Sequence, residues 1–143
     1  MILTLTANPS IDRTTTVKGR LERGGVYRLA MQSDVPGGKG VNVSGAQHNP
    51  GHATQALYPA AKSGLFSRLL AETHIPHEAI DLRNEARVNL TIVEDDGTTT
   101  KLNTPGAQLA DVDAERVLAR LVHHAPRASW VVLAGSLPPG APV

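Results

Sequence analysis

The sequence predicts an α/β fold, a doubly wound layer of strands and helices with a small accessory β-sheet beside it. Three observations carry this expectation. Strand-like and helix-like segments alternate along 143 residues, a length that can bury one real core. Trp130-Val131-Val132-Leu133-Ala134 is a continuous apolar run, of the kind buried on both faces of a parallel sheet. The stretches at about 14–35 and 87–104 instead alternate polar and apolar residues, as strands with one exposed face do.

Taken in order, Ile2-Leu3-Thr4-Leu5 reads as a short buried strand stopped by Asn8-Pro9. Thr14–Val17 and Val26–Leu29 read as half-exposed strands separated by Gly24-Gly25. After a glycine-rich loop, a helix runs from Val41 to about His48, interrupted by Gly45 and ended by Asn49-Pro50-Gly51. Gln55–Tyr58 forms the next strand, and Ser63 caps a helix whose Leu65, Phe66, Leu69 and Leu70 share one side. Arg87–Glu94 alternates, Asp96-Gly97 turns the chain, and Thr98–Asn103 returns as its hairpin partner. Asp111 and Asp113 open a helix carrying Val117, Leu118, Leu121 and Val122, and His123-His124 closes it, in agreement with the helix dipole.

Composition excludes several function classes. Net charge is +1 with the cations scattered, which gives no surface for nucleic acid or an anionic membrane. No cysteine is present, so disulfides and thiolate metal sites are excluded. No apolar run approaches the roughly 20 residues of a membrane helix, and the N-terminal run ends at Ala7, too short for a signal peptide. A soluble, cytoplasmic protein is the expectation. With one Trp, two Tyr and one Phe, the core must be built mainly from Leu, Val, Ala and Ile.

The most informative segment is Val35-Pro36-Gly37-Gly38-Lys39-Gly40-Val41-Asn42-Val43. Its glycines allow positive φ and close backbone approach, and the helix that follows offers unpaired N–H groups to an oxygen-rich ligand. It is not a phosphate loop of the Walker type, because Gly40 stands where Ser or Thr is needed and Ser33 replaces the upstream glycine. Nor is it a dinucleotide fingerprint, since Val43 occupies the third glycine position. An ordinary glycine-rich turn is the competing reading.

Other residues invite chemistry. Asp12, after an Asn-Pro turn, either accepts hydrogen bonds from a polyol or simply shapes the turn. Asn42 can donate and accept at a sugar hydroxyl, or cap the helix. Arg87 can grip a phosphate through its fork, or pair across the hairpin; Arg28 is a weaker candidate. Ser136 leaves the carboxyl end of a parallel strand, where open α/β sheets place ligands, beside prolines that shape the exit loop. His48, His52, His74 and His77 fall in loops, and no His site is expected.

Thr6–Thr14, Val35–Val43, Arg87–Leu90, Asn103–Gly106 and Ala134–Gly140, in this order, resemble the ribokinase-like sugar kinases. The group is phosphofructokinase B, and the Arg-Val-Asn-Leu-Thr hairpin looks most like bacterial 1-phosphofructokinases. The resemblance implies transfer of the γ-phosphoryl of ATP to the 6-hydroxyl of fructose 1-phosphate, with Mg²⁺. It implies substrate binding by Asp12, Gly37, Gly38, Asn42 and Asn89, with Arg87 on the phosphate; Lys39 either joins this set or is simply a solvated lysine, and Ser136 either bonds the phosphate or belongs to a loop that only shapes the strand exit. The accessory strands at about 14–35 and 87–104 would form a lid over the sugar and a homodimer contact. Alternatives are a 6-phosphofructokinase or tagatose-6-phosphate kinase and, from another class, a non-catalytic sugar-phosphate-binding remnant.

The resemblance also implies a catalytic aspartate in a Gly-Ala-Gly-Asp motif, with the ATP and Mg²⁺ sites in a C-terminal half. None of Asp12, Asp34, Asp81, Asp95, Asp96, Asp111 and Asp113 stands in such a motif. No catalytic residue is therefore assigned, and residues 1–143 are expected to be the sugar-binding N-terminal part of the kinase domain, inactive alone. Ala60-Ala61-Lys62 also replaces a Gly-Gly common in the family. With no neighbour, the apolar Trp130–Ala134 strand is expected to promote self-association.

Overall fold

The computed structural model describes residues 1–141. It contains two four-stranded sheets. In the first, strands β1 (Ile2–Leu5), β4 (Thr54–Ala60), β5 (His77–Asp81) and β8 (Trp130–Leu133) are all parallel, in the order β5-β4-β1-β8. The second orders β3 (Met31–Gly37), β2 (Ser10–Thr16), β6 (Arg87–Val93) and β7 (Thr99–Asn103). There β2 runs antiparallel to β3 and parallel to β6, which pairs antiparallel with β7.

Alternation along β1 and β4 explains the helices on both faces of the first sheet. Leu3, Leu5 and Leu57 turn one way and join Ile80 and Val117 of α3 (Asp111–His124) in one core. Ala56, Tyr58 and Ala60 turn the other way, against Val41 of α1 (Lys39–His48) and Phe66 and Leu70 of α2 (Leu65–Glu72). Ile11 of β2 belongs to that second core, so the two sheets are joined through packed apolar side chains. Tyr58 and Phe66 meet edge to face at 4.9 Å, and the buried Tyr58 hydroxyl donates to Ser67 Oγ.

Several sequence expectations give way. Val26–Leu29 is not a strand; Val26 is 97% exposed, and the Tyr27 hydroxyl folds back to donate to the Arg20 carbonyl. The strand that pairs with β2 is Met31–Gly37, so the glycine loop grows directly out of a strand. Ser63 does not cap α2, because extended Gly64 takes that place without a side-chain bond. Gly45 does not interrupt α1; a Cβ there would stand only 3.2 Å from Ile75 Cδ1, so its bareness serves close packing. His77 starts β5, a strand too short and too polar to announce itself. The edge strand β8 is not buried on both faces: Trp130 is 71% and Leu133 65% exposed.

Beside β8 lies an apolar groove of about 320 Å³, lined by Leu5, Val117, Leu118, Leu121 and Leu133 among others. A free strand edge next to unburied apolar side chains is a template for association. Sedimentation velocity on this chain is expected to show mass rising with concentration, and Leu133→Lys is expected to suppress the rise.

On the opposite edge of that sheet, Glu78 ties β5 to α3. Arg120 Nε donates to Glu78 Oε1 at 2.7 Å, and His124 Nε2 donates to Oε2 at 2.8 Å. Burial pushes the Glu78 carboxyl up, but the bonds from Arg120 and His124 outweigh it and hold the group below its ordinary value. The stabilisation is complete above pH 4.5 and fades as pH falls through the lower folded-state value. Glu78→Gln is expected to cost about 0.5–1 kcal/mol at pH 7 and progressively less as pH falls below the ordinary carboxylate range, read from urea unfolding across that range.

Candidate functional site

The site forms where the C-terminal end of β1 faces the start of the accessory sheet. Thr6, just past β1, is buried, and its Oγ1 accepts the Val41 N–H at 2.8 Å, satisfying an N–H of the first turn of α1. The loop reaches Thr6 only because it lacks side chains. At Gly38, with φ 122°, a Cβ would run into Thr6 Cγ2, and at Gly40 one would crowd Thr6 Oγ1 and the Leu5 carbonyl. The first intrahelical bond joins Asn42 N–H to the Gly38 carbonyl at 2.9 Å, so with Val41 N–H taken by Thr6 the N–H groups of Lys39 and Gly40 have no intrahelical partner.

Asp12 lies on β2 opposite Asn89 of β6 and beside Gly37 of β3, where a Cβ would collide with the Asp12 carboxylate. Asp12 Oδ1 accepts from Ser10 Oγ at 2.9 Å and from Asn89 Nδ2 at 3.0 Å. The parallel register of β2 and β6 sets this pair directly opposite, with Ser10 opposite Arg87. Arg87 Nη1 donates to Asn89 Oδ1 at 3.4 Å and to the Thr104 carbonyl at 3.1 Å, while Nη2 reaches Ser136 Oγ at 3.3 Å. Its Nε is buried and has no partner among the described residues. A polar network thus runs Ser10, Asp12, Asn89, Arg87, Ser136.

The sequence candidates therefore divide. Asp12, Gly37, Asn89, Arg87 and Ser136 converge, and Gly38 frames the same loop. Asn42, in the first turn of α1, is exposed, and its side chain makes no hydrogen bond among the described residues. Lys39 is also exposed, but its backbone lies against the exit of β8: its N and Cβ stand 3.8 Å from where a Gly135 Cβ would be. Arg28 falls outside the site. Ala30 N–H bonds the Thr16 carbonyl at the far end of β2, and the Arg28 side chain is exposed there. Arg13, which belongs to the Thr6–Thr14 motif but was given no role there, pairs with Asp34 through two 2.7 Å bonds across β2 and β3. That pair holds the Asp34 carboxyl below its ordinary value, first through the hydrogen bond from Arg13.

No family model matches the chain. A 1-phosphofructokinase of Xanthomonas campestris is 34% identical over 143 residues, covering 98% of this chain and 45% of that protein. An ATP-dependent 6-phosphofructokinase isozyme 2 of Mycobacterium tuberculosis is 34% identical over 142 residues, covering 97% and 42%. The crystal structure of Escherichia coli phosphofructokinase-2 in complex with fructose-6-phosphate superposes with a TM-score of 0.87 at 28% identity, covering 99% of this chain and 47% of that one. The tetrameric inhibited form of that enzyme gives 0.86, with the same identity and coverage. The chain thus spans a little under half the length of the relatives it matches.

The contact between Thr6 and the glycine loop can be tested directly. Thr6→Val keeps the shape and removes the acceptor, leaving the buried Val41 N–H unpaired at a cost of about 1–3 kcal/mol. Urea unfolding is expected to show that loss, and Thr6→Ser to recover most of it.

Proposed function

From its kinship, along nearly its whole length, with part of the phosphofructokinase B kinases, we propose that this chain forms the sugar-phosphate side of a kinase acting on fructose 1-phosphate. The observation that carries the reading is the joined placement of Asp12, Asn89, Arg87 and Ser136. A carboxylate suited to hydroxyl donors and a guanidinium suited to phosphate are held in one network by the register of two strands. In this reading Asp12 accepts from sugar hydroxyls, and Gly37 and Gly38 leave room for the ring. Asn42 and the N–H groups at the start of α1 add donors, with Lys39 beside them. Arg87 and Ser136 hold the phosphate already on the sugar, and Asn89 fixes Arg87 relative to Asp12.

ATP would supply the phosphoryl group and Mg²⁺ would neutralise its charge. The described residues hold no cluster of three His, Asp or Glu side chains, so none is assigned to a metal and no step is derived through it. What this chain contributes is positioning, fixing the acceptor sugar so that its free primary hydroxyl stands clear of the phosphate grip. Phosphoryl transfer therefore calls for groups beyond those placed here.

A second reading exchanges the substrate for fructose 6-phosphate. It is favoured by the fructose-6-phosphate complex among the similar structures and by a 6-phosphofructokinase relative as similar as the 1-phosphofructokinase. Tagatose 6-phosphate belongs to the same reading. The accessory sheet is the proposed homodimer contact: Leu102 of β7 is exposed, and Leu90 and Ile92 of β6 are only half-buried, on the same face. Among the described residues no helix is long and apolar enough to cross a membrane, in keeping with a cytoplasmic metabolic role.

Titration calorimetry with fructose 1-phosphate, fructose 6-phosphate and fructose tests the reading. Arg87→Ala is expected to weaken the preferred sugar phosphate about ten- to a hundredfold, from loss of roughly 1.5–3 kcal/mol, with fructose affinity barely changed. Asp12→Asn is expected to weaken sugar and sugar phosphate alike. Retention of the phosphate preference in Arg87→Ala would remove the basis for the assignment.

A further inference from the structure

One buried amide outside the proposed contact set governs both anchors of Arg87. Asn8 lies between β1 and β2 and is only 7% exposed. Its Nδ2 is 2.9 Å from the Pro105 carbonyl, 3.3 Å from Ser136 Oγ and 3.3 Å from the Leu137 carbonyl. An amide nitrogen carries two hydrogens, so these three acceptors are served by a shared donation. On its other side, Gly106 has φ 95°, and a Cβ there would collide with Asn8 Oδ1. The backbone leaving β7 is therefore pressed against one side of Asn8, while the turn leaving β8 is hydrogen-bonded to it.

Those two segments are the ones that hold the guanidinium. Thr104, next to Pro105, supplies the carbonyl for Arg87 Nη1, and Ser136 supplies the hydroxyl for Nη2. They come from different sheets, and no strand pairing links β7 to β8. We propose that Asn8 is a positioning residue for the phosphate grip: it fixes the gap between Arg87 and Ser136 and thereby sets the preference for a phosphorylated sugar over the free one. The proposal rests on the sugar-phosphate reading above and adds to it a residue outside the contact set proposed there.

The role follows from how the network divides. Asp12 is anchored by Ser10 and Asn89, both within the accessory sheet, and Asn8 is not among its partners. Asn8 reaches Asp12 only through Arg87 and Asn89, the Arg87–Asn89 contact being the longest bond of that path at 3.4 Å, so loosening Asn8 should disturb the phosphate end far more than the hydroxyl end. The near-isosteric Asn8→Asp removes the donor and sets a carboxylate against the Pro105 and Leu137 carbonyls, leaving only the Ser136 hydroxyl able to bond it.

The experiment combines calorimetry with hydrogen exchange on the chain itself. In Asn8→Asp, amide exchange is expected to accelerate in peptides covering 103–109 and 134–138, and to remain unchanged in β4 and α2. Affinity for fructose 1-phosphate, or for fructose 6-phosphate if that is the preferred ligand, should fall about tenfold while fructose binding stays within twofold. Asn8→Ser, small and still a donor, should give an intermediate loss and serves if the Asp variant does not fold. Equal weakening of sugar and sugar phosphate, or unchanged exchange in both segments, would overturn the proposal. A wild-type protein that binds fructose as well as its phosphates would overturn the sugar-phosphate reading itself, and this proposal with it, before any variant is compared.

Discussion

The close approach of the glycine loop to Thr6 is the constraint on which the remaining geometry depends. β1 ends beneath the N-terminus of α1, and the separation is short enough to exclude a Cβ at Gly38 and at Gly40. Thr6 then provides the acceptor that the Val41 N–H lacks. One contact fixes the helix on the first sheet and, through β3, fixes the edge of the second. A side chain on the loop would lift α1 away from β1, and Gly37 away from Asp12 with it. The N-terminal end of α1 and the carboxylate are therefore placed by the same absence of side chains.

The polar network makes a different use of the fold. Asp12, Asn89 and Arg87 are all set by the β2–β6 register, whereas the Thr104 carbonyl and Ser136 reach Arg87 only because the exits of β7 and β8 converge on it. The Asp12 end of the network is thus built into a sheet, and the partners of Arg87 beyond that sheet come from turns. Sheet register permits little adjustment, since a one-residue slip would turn Asp12 to the opposite face. Turns need tethers, and Asn8 together with the Thr104 carbonyl supplies them.

Much of this was legible in the sequence where periodicity was strong. β1, α3 and the β6–β7 hairpin each carry a clean pattern, and the structure has them at nearly the expected bounds. β5 was not legible, because His77-Glu78-Ala79-Ile80-Asp81 offers only Ala79 and Ile80 as apolar residues and draws its stability from pairing with β4. Val26–Leu29 misled because local alternation says nothing about whether a partner is in reach, and Tyr27 found a local acceptor instead. At the site, Asp12, Arg87 and Ser136 stood out as chemistry-bearing residue types. Asn8 and Thr6 did not, since an Asn-Pro turn and a strand-end threonine have ordinary local explanations. Their importance comes from contacts with residues far away in the chain.

The parallel pairing of β2 with β6 also bears on how the molecule reaches this state. Asp12 and Asn89 are 77 residues apart, and the parallel strands β1 and β8 lie farther still along the chain. Loop closure of that span must be met before either pairing gives anything back. The β6–β7 hairpin, by contrast, closes through the Asp96-Gly97 turn alone. The two seams therefore differ in closure cost: the hairpin spans a short turn, and the β2–β6 seam spans the long stretch that carries β3, α1, β4, α2 and β5. The pairing of Asp12 with Asn89 thus rests on a loop closure far longer than the hairpin's, and it is held only while the elements between residues 10 and 89 stay in place.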